Sequence, residues 1–297
     1  MRIAVCDIGS NTVKMKVYEC TGDNVDEVYS VVKNAKLISY IKDGSMSKNG
    51  IDLLCNIISE LVAISKKEGA SHFYAFATAS LRKAKNVLHI LNTVYGNCNI
   101  SIDLIPGDEE AYLSYSGVKN KSEYISNNSI FIDMGGGSTE IVIIENGEIT
   151  KRCSMNFGSL SLYLDFSTFP EMKTYAQNQI KSNFENIKSF ENAILVGGTA
   201  LAINKLYNRF FNTDNNSNMS MDSLVELYNY LINNPLSKDI INQTVPDRVT
   251  TVIPGMSAYL GIFEIFGIKN IIVSKYGIRE GYVYEKVLKR RTKNERT

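Results

Sequence analysis

Ile3-Ala4-Val5-Cys6-Asp7-Ile8-Gly9-Ser10-Asn11-Thr12 and Ile130-Phe131-Ile132-Asp133-Met134-Gly135-Gly136-Gly137-Ser138-Thr139-Glu140 are two versions of one pattern. In each, an apolar strand ends in aspartate, a turn of glycine and hydroxyl residues follows, and a second β-rich run leads away. An aspartate at a strand end can hold a divalent cation, directly or through water. The glycines let the backbone turn tightly and aim N–H groups at an anion. Ser and Thr hydroxyls add donors without adding charge. One copy alone reads equally well as an ordinary hairpin. Two copies in the same context point to paired phosphate-binding hairpins, one per domain, facing each other across a cleft.

Around the first copy, residues 2–7, 13–19 and 25–33 read as strands with period-two alternation, separated by the Thr21-Gly22-Asp23-Asn24 turn cluster. Ile51, Leu54, Ile57, Ile58, Leu61 and Val62 recur at helical spacing, with Gly69 as a stop signal. A strand over Phe73–Ala77, a helix over about 80–94, a strand over Ile100–Ile105 and a helix opening at Asp108 complete the order β-β-β-α-β-α-β-α. The order then starts again. Strands are expected over 129–133, 140–145 and 148–154, with Asn146-Gly147 as the hairpin turn. A helix over Glu171–Phe190, a strand over Ala193–Val196 running into Gly197-Gly198-Thr199, and a last strand over Ile271–Ser274 follow. The polar run 212–220 reads as a loop. Residues 119–128 lack apolar periodicity and hold the expected boundary between domains 1–122 and 123–297. The final helix, from about 278, has apolar surface to pack on either domain. This duplication is the pattern of α/β, actin-like (ribonuclease-H-like) folds with an interdomain cleft.

The chain has 297 residues, 44% hydrophobic and 21% charged, with a formal net charge of +1. That balance gives no case for a nucleic-acid or membrane-surface partner, so local basic residues would have to meet a polyanion. The basic run Lys286–Lys293 reads as a solvated helix face. Five cysteines without metal-ligand spacing argue for free thiols in a reducing compartment, and a cytoplasmic location is expected. The start of the chain carries no signal-peptide pattern, and no apolar run is long enough to span a bilayer.

Other motifs sit at strand ends. Arg82, in Ala77-Thr78-Ala79-Ser80-Leu81-Arg82, would lie in the first turn of a helix, where its planar fork suits either bidentate phosphate contact or a surface ion pair. Asp108, Glu109 and Glu110 open a helix. Capping explains the first and extends to the second, whereas Glu110 is placed either to cap or to orient and deprotonate a water attacking phosphorus. Gly197-Gly198-Thr199 forms a backbone nest at a helix N-terminus, an anion or nucleotide site that is weak taken alone. Arg279-Glu280 fits a structural role as well as a ligand role. His72 and His89 have no metal-ligand spacing, and the chain lacks a nucleophile elbow and a Walker A lysine motif.

Together these stretches resemble the exopolyphosphatase/guanosine pentaphosphate phosphatase family. The likeness runs through Asp7–Thr12, Ala77–Asn86, Gly107–Ala111, Ile132–Glu140, Gly197–Thr199, Ile253-Pro254-Gly255 and Gly277–Gly281. It implies the actin-like two-domain fold and Mg2+-dependent release of terminal phosphate from polyphosphate or pppGpp. By motif position it makes Glu110 the catalytic residue and Asp133 and Glu140 the metal-binding acids. Gly9, Ser10 and Asn11 match the first phosphate loop, Gly135, Gly136, Gly137 and Ser138 the second, and Arg82 a phosphate-contacting arginine. With Asp7, Thr139, Gly197, Gly198 and Thr199 from the residue-level reading, these complete the expected phosphate-binding set. The chain departs from the family pattern at Tyr112, where Arg is frequent, at Thr250, where an acid is common, and at Thr12, where Ser is frequent. It resembles the short form without C-terminal HD-type domains, which puts long-chain processivity in doubt.

The expected activity is exopolyphosphatase hydrolysis, with magnesium near Asp7, Asp133 and Glu140 and water activated by Glu110. Alternatives are pppGpp 5′-phosphohydrolysis with the base near Gly197–Thr199, a polyphosphate- or nucleotide-binding regulator with little turnover, and an actin-like kinase. A homodimer is among the expected assemblies, although the sequence does not give the oligomeric state.

Overall fold

Each strand–turn–strand segment becomes the centre of its own sheet. In a computed structural model of the chain, which describes residues 1–121, 126–214 and 216–289, β1 (Arg2–Ile8) pairs antiparallel with β2 (Thr12–Thr21), and β2 with β3 (Asn24–Asn34). A small hairpin of β4 (Ile41–Lys42) and β5 (Ser45–Met46) leads to α1 (Lys48–Lys67), where the Ser47 side chain caps the helix by accepting from the Gly50 amide. β6 (His72–Ala77) lies parallel to β1. It is followed by α2 (Ala79–Arg82), α3 (Val87–Cys98), β7 (Ile102–Leu104) and α4 (Gly107–Lys119). The sheet order is β3-β2-β1-β6-β7.

The second sheet repeats this plan. β8 (Ser129–Met134), β9 (Thr139–Glu145) and β10 (Glu148–Met155) form the antiparallel meander. The turn between β9 and β10 has Asn146 and Gly147 both at positive φ, 53° and 80°, as a primed two-residue hairpin requires. α5 (Ser159–Asp165) and α6 (Phe169–Asn183) lead to β11 (Asn192–Val196) and α7 (Gly197–Phe210). β12 (Asn218–Ser220), α8 (Met221–Asn233), α9 (Ser237–Thr244), α10 (Val252–Phe266) and β13 (Asn270–Val273) follow. The order is β10-β9-β8-β11-β13-β12. Without the edge strand β12, it matches the first sheet strand for strand.

The chain forms two compact units, one of Met1–Gly117 with Ile278 onward, the other of Val118–Gly277. The boundary expected between 122 and 123 falls on residues 122–125, outside the described residues. The C-terminal segment, α11 (Ile278–Tyr282) and the wider helical turn Val283–Leu288, belongs to the first unit. The reason is apolar. The first sheet buries Ala4, Cys6, Ile8, Val13 and Met15 against α1 and α3, while Ile3, Val5, Tyr18 and Phe76 on its other face pack with Tyr282, Val283, Val287 and Leu113. Of the basic run beyond 286, only Lys286–Lys289 lies within the described residues. There Lys286 pairs with Glu109 and Lys289 with Glu285.

Three local readings differ from the observed elements. The single helix expected over 80–94 is broken at 83–86. There the Lys85 amide donates to the Gly44 carbonyl, and the Asn86 side chain bonds both backbone groups of Met46. Tertiary bonds to the β4–β5 hairpin outcompete helix continuation. The helix expected to reach Phe190 stops at Asn183, with Phe184 and Phe190 turned into the second core. The polar run 212–220 closes with β12, paired to β13, and its residue 215 lies outside the described residues.

α11 crosses α4 at backbone contact. A Cβ on Gly281 would stand 1.8 Å from the Leu113 carbonyl oxygen. Gly281→Ala is therefore expected to destabilise the chain by about 3 kcal/mol or more, read by urea unfolding. A change below about 0.5 kcal/mol, the range of an indifferent surface substitution, would contradict this packing.

Candidate active site

Both strand-ending turns are closed by the same bond, Gly9 N–H to the Thr12 carbonyl and Gly135 N–H to the Ser138 carbonyl, each 3.0 Å. In the first turn the Ser10 and Asn11 carbonyls accept from the amides of Ile38 and Lys36 at 3.0 and 2.7 Å. In the second, the Gly135 and Gly136 carbonyls accept from Ser159 and Leu160 at the start of α5, both at 3.0 Å. A trans peptide points its C=O and the next N–H in opposite directions. The amides of Asn11 and Thr12, and those of Gly136 and Gly137, are thereby turned to the other side of their turns. Successive amides turned to one side are the geometry from which an anion-binding nest is built. Gly158 permits it in the second unit, since a Cβ there would lie 2.5 Å from the Gly135 carbonyl oxygen.

In the first unit Asp7 pairs across β1–β2 with Lys14. Burial pushes its carboxyl above the ordinary value, while Arg279 and Lys14 pull it down. Arg279 Nη1 is 3.5 Å from Asp7 Oδ2. The neighbouring Glu280 is 1% exposed and accepts from Lys16 Nζ at 2.9 Å and Tyr18 Oη at 2.6 Å. Burial raises the Glu280 pKa, but Lys16, Arg279 and the Tyr18 hydrogen bond outweigh it and hold the carboxyl below 4.5. Arg82, carried by α2, donates through Nη1 to the Ile105 carbonyl at 2.7 Å and to Glu110 Oε2 at 2.9 Å. Glu110 is 7% exposed in the first turns of α4. The two residues singled out separately in the sequence are thus one ion pair, and Glu109, bonded to Lys286, is not part of it.

In the second unit Asp133 and Glu140 stand directly opposite on β8 and β9, so their side chains share one face of the sheet. Like charges in that relation repel unless a cation or hydrogen bonds compensate. Glu140 is buried and accepts from Ser154 Oγ at 2.7 Å. Gly197, at φ 88°, leaves room for Asp133, since a Cβ there would lie 2.6 Å from Asp133 Oδ1. Two expected phosphate donors are engaged within the protein. Thr139 Oγ1 donates to the Phe157 carbonyl at 2.7 Å and Thr199 Oγ1 to Ser159 Oγ at 3.1 Å, both hydroxyls buried. Ser138 is also buried.

No group of three or more His, Cys, Asp or Glu poised to hold a metal occurs among the described residues. The Asp133–Glu140 pair nonetheless fits Mg2+, an ion usually held by one or two carboxylates with substrate oxygens and waters completing its shell.

Three further side chains stand beside these groups, two in the second unit and one in the first. Arg248 lies over the N-terminus of α7, with Nη2 2.2 Å from where a Gly198 Cβ would be. A guanidinium at the positive end of a helix is electrostatically unfavourable without an anion between them. The Tyr259 hydroxyl is buried close to Asp133, and burial first, then Asp133, pushes its pKa up. Arg279 is the third. All three follow recognisable sequence signals, an arginine before the Ile253-Pro254-Gly255 stretch, a tyrosine one turn after it, and the Gly277–Gly281 run. None could be assigned without the tertiary contacts. A groove of about 900 Å³ also runs along α7, lined by Leu201, Asn204, Lys205, Ser274, Lys275 and Tyr276 among others. The Asn204 Oδ1 is buried without a hydrogen-bond partner.

Residues 25–290 match the model of the Ppx/GppA phosphatase family. The chain belongs to this family. A bifunctional 3-dehydroquinate synthase/phosphatase of Fusobacterium nucleatum is 25% identical, over 96% of this chain and 46% of its own length. Exopolyphosphatase 1 of Mycobacterium bovis is 28% identical over 54% of this chain and 48% of its own. A guanosine-5′-triphosphate,3′-diphosphate pyrophosphatase of Photobacterium profundum is 23% identical over 97% and 60%. The chain spans about half the length of the curated relatives it matches. Among solved structures, the Aquifex aeolicus Ppx/GppA family member superposes with TM-score 0.83 at 21% identity, covering 98% of both chains. An exopolyphosphatase from Cytophaga hutchinsonii gives 0.84 at 19%, covering 96% and 97%. These likenesses bear out the expected family and its actin-like, duplicated α/β fold. Among the described residues no helix is long and apolar enough to cross a membrane.

Glu280 gives the site a pH signature. Its pKa is lower folded than unfolded, so its contribution is complete above about pH 4.5 and fades as pH falls below that value. Glu280→Gln is expected to lower stability at pH 7 by about 3 kcal/mol. In thermal melts, the gap to the unsubstituted chain should narrow below pH 4.5. A gap unchanged between pH 7 and pH 4 would contradict this assignment.

Proposed function

We propose that the chain hydrolyses the terminal phosphoanhydride of inorganic polyphosphate, as an exopolyphosphatase. The observation that carries this reading is the Arg82–Glu110 pair at 2.9 Å, held at the ends of β6 and β7 in the unit that bears the first glycine turn. An arginine that fixes a glutamate while keeping part of its own fork for other acceptors joins a base to a phosphate contact. Glu110 accepts the proton of the attacking water, and Arg82 orients the carboxylate and meets the transferred phosphoryl group. In each unit the amides of its glycine turn can donate to phosphate oxygens without proton exchange. The expected donors are Asp7, Gly9, Ser10 and Asn11 in one unit, and Gly135 to Ser138 with Gly197 and Gly198 in the other. Thr139 and Thr199 are also expected donors, with Thr139 Oγ1 bonded to the Phe157 carbonyl and Thr199 Oγ1 to Ser159 Oγ.

Magnesium would be held by Asp133 and Glu140 and would supply charge neutralisation at the phosphate oxygens. The five free cysteines fit a cytoplasmic setting, and a homodimer remains part of this reading. A nucleotide substrate, pppGpp, is the second reading. It is supported by the α7 groove, whose volume suits a nucleoside.

The test is phosphate release from polyphosphate of defined lengths, from pppGpp and from ATP, with and without magnesium. Release from polyphosphate that requires magnesium is expected. Glu110→Gln should lower turnover by about 10²- to 10⁴-fold with substrate binding retained. Undiminished release by that variant would remove Glu110 from the mechanism. Release from pppGpp alone would favour the second reading, and no release from any substrate would leave a binding protein.

A further inference from the structure

Arg279 is the one arginine beside the first glycine turn whose donors are barely used. A guanidinium carries five N–H groups. Among the described residues its hydrogen-bond contact is Asp7, and at 3.5 Å this is far longer than the 2.7–2.9 Å of a closed charge-assisted bond. Its Nε is buried without any partner. Leaving a buried donor unmade is unfavourable. An arginine present only to neutralise Asp7 would close on it.

What holds Arg279 open is the next residue. Asp7, Val5 and Ile3 on β1 lie opposite Lys14, Lys16 and Tyr18 on β2. This row faces the C-terminal segment. Glu280 docks on Lys16 and Tyr18, one rung from the turn, and Lys16 is steadied further by Glu27 at 2.7 Å. With Glu280 fixed there, Arg279 is delivered to the Asp7 rung, at the mouth of the turn whose amides of Asn11 and Thr12 are aimed outward. The side chain retains 17% exposure, so it is not sealed from solvent.

We propose that Arg279 is a substrate-phosphate contact at the first glycine turn, and that Glu280 is the positioning residue that presents it. This rests on the phosphohydrolase reading above and adds a second arginine to Arg82. The two are not equivalent. Arg82 is tied to the base Glu110, whereas Arg279 is tied to the turn. Arg279 therefore serves binding of the phosphate chain, and its loss should appear mainly in KM.

The experiment uses the full chain with Arg279→Ala, Arg279→Lys and Glu280→Gln, tripolyphosphate with magnesium as substrate, and added guanidinium chloride at millimolar concentration. Arg279→Ala is expected to raise KM about 30- to 100-fold, with kcat changed less than about fivefold, consistent with loss of a charged phosphate contact. Guanidinium should restore part of that loss, and the lysine variant, which keeps a positive charge beside Asp7, should fall in between. Glu280→Gln should raise KM in the same direction. A KM within threefold of the unsubstituted chain for both Arg279 variants overturns the proposal. So does a loss confined to the alanine variant, matched by a lower melting temperature and insensitive to guanidinium. Equilibrium binding of tripolyphosphate is measured in parallel. If the unsubstituted chain binds it but releases no phosphate, the hydrolase reading fails, yet a weaker Kd for Arg279→Ala upholds the contact and an equal Kd overturns it. Absence of binding overturns both.

Discussion

The peptide planes in two short turns decide what this molecule can hold. In each, a glycine amide closes on a carbonyl three residues ahead, and the next carbonyls are bonded by a neighbouring segment, the stretch after β3 in one unit and the start of α5 in the other. Because a planar peptide cannot turn its C=O inward without turning the following N–H outward, the amides are presented by the same bonds that fold the turn. The orientation of these amides is thus a consequence of packing.

The charged residues that do stand near these turns are held in specific partnerships. Glu110 is bound by Arg82, Glu280 by Lys16 and Tyr18, and Glu140 by Ser154. Breaking one partner of a buried pair is strongly destabilising, whereas keeping the pair adds little stability over an apolar replacement. Their presence is therefore better explained by orientation than by stability. The C-terminal segment takes part because the outer face of the first sheet carries Ile3, Val5 and Tyr18 and must be covered. The residues that cover it bring Arg279 and Glu280 with them.

Much of this was legible in the sequence. The repeated order of strands and helices could be read because the strands alternate cleanly and the Asn146-Gly147 turn is unambiguous. The pairing of an aspartate with a glycine turn was visible in both copies. What could not be read were effects of distant contacts. Asn86 leaves the helical pattern because Met46 offers it two backbone bonds. Thr139 and Thr199 resemble ligand hydroxyls in the sequence, yet their bonds go to Phe157 and Ser159. Arg82 and Glu110 each read ambiguously alone, and their meeting across 28 residues joins the two readings. Arg248 is an ordinary arginine until the glycine it covers is seen, and Arg279 reads as structural or as a ligand until the aspartate it approaches is seen.

The central claim is that each glycine turn aims its amides outward, where phosphate oxygens can accept from them. The direct measurement is a titration of the isotopically labelled chain with tripolyphosphate and magnesium, following backbone amide signals by two-dimensional NMR. The account expects saturable shifts at the amides of Asn11 and Thr12 and at those of Gly136 and Gly137. Amides of both turns that stay unmoved at saturating tripolyphosphate would contradict it.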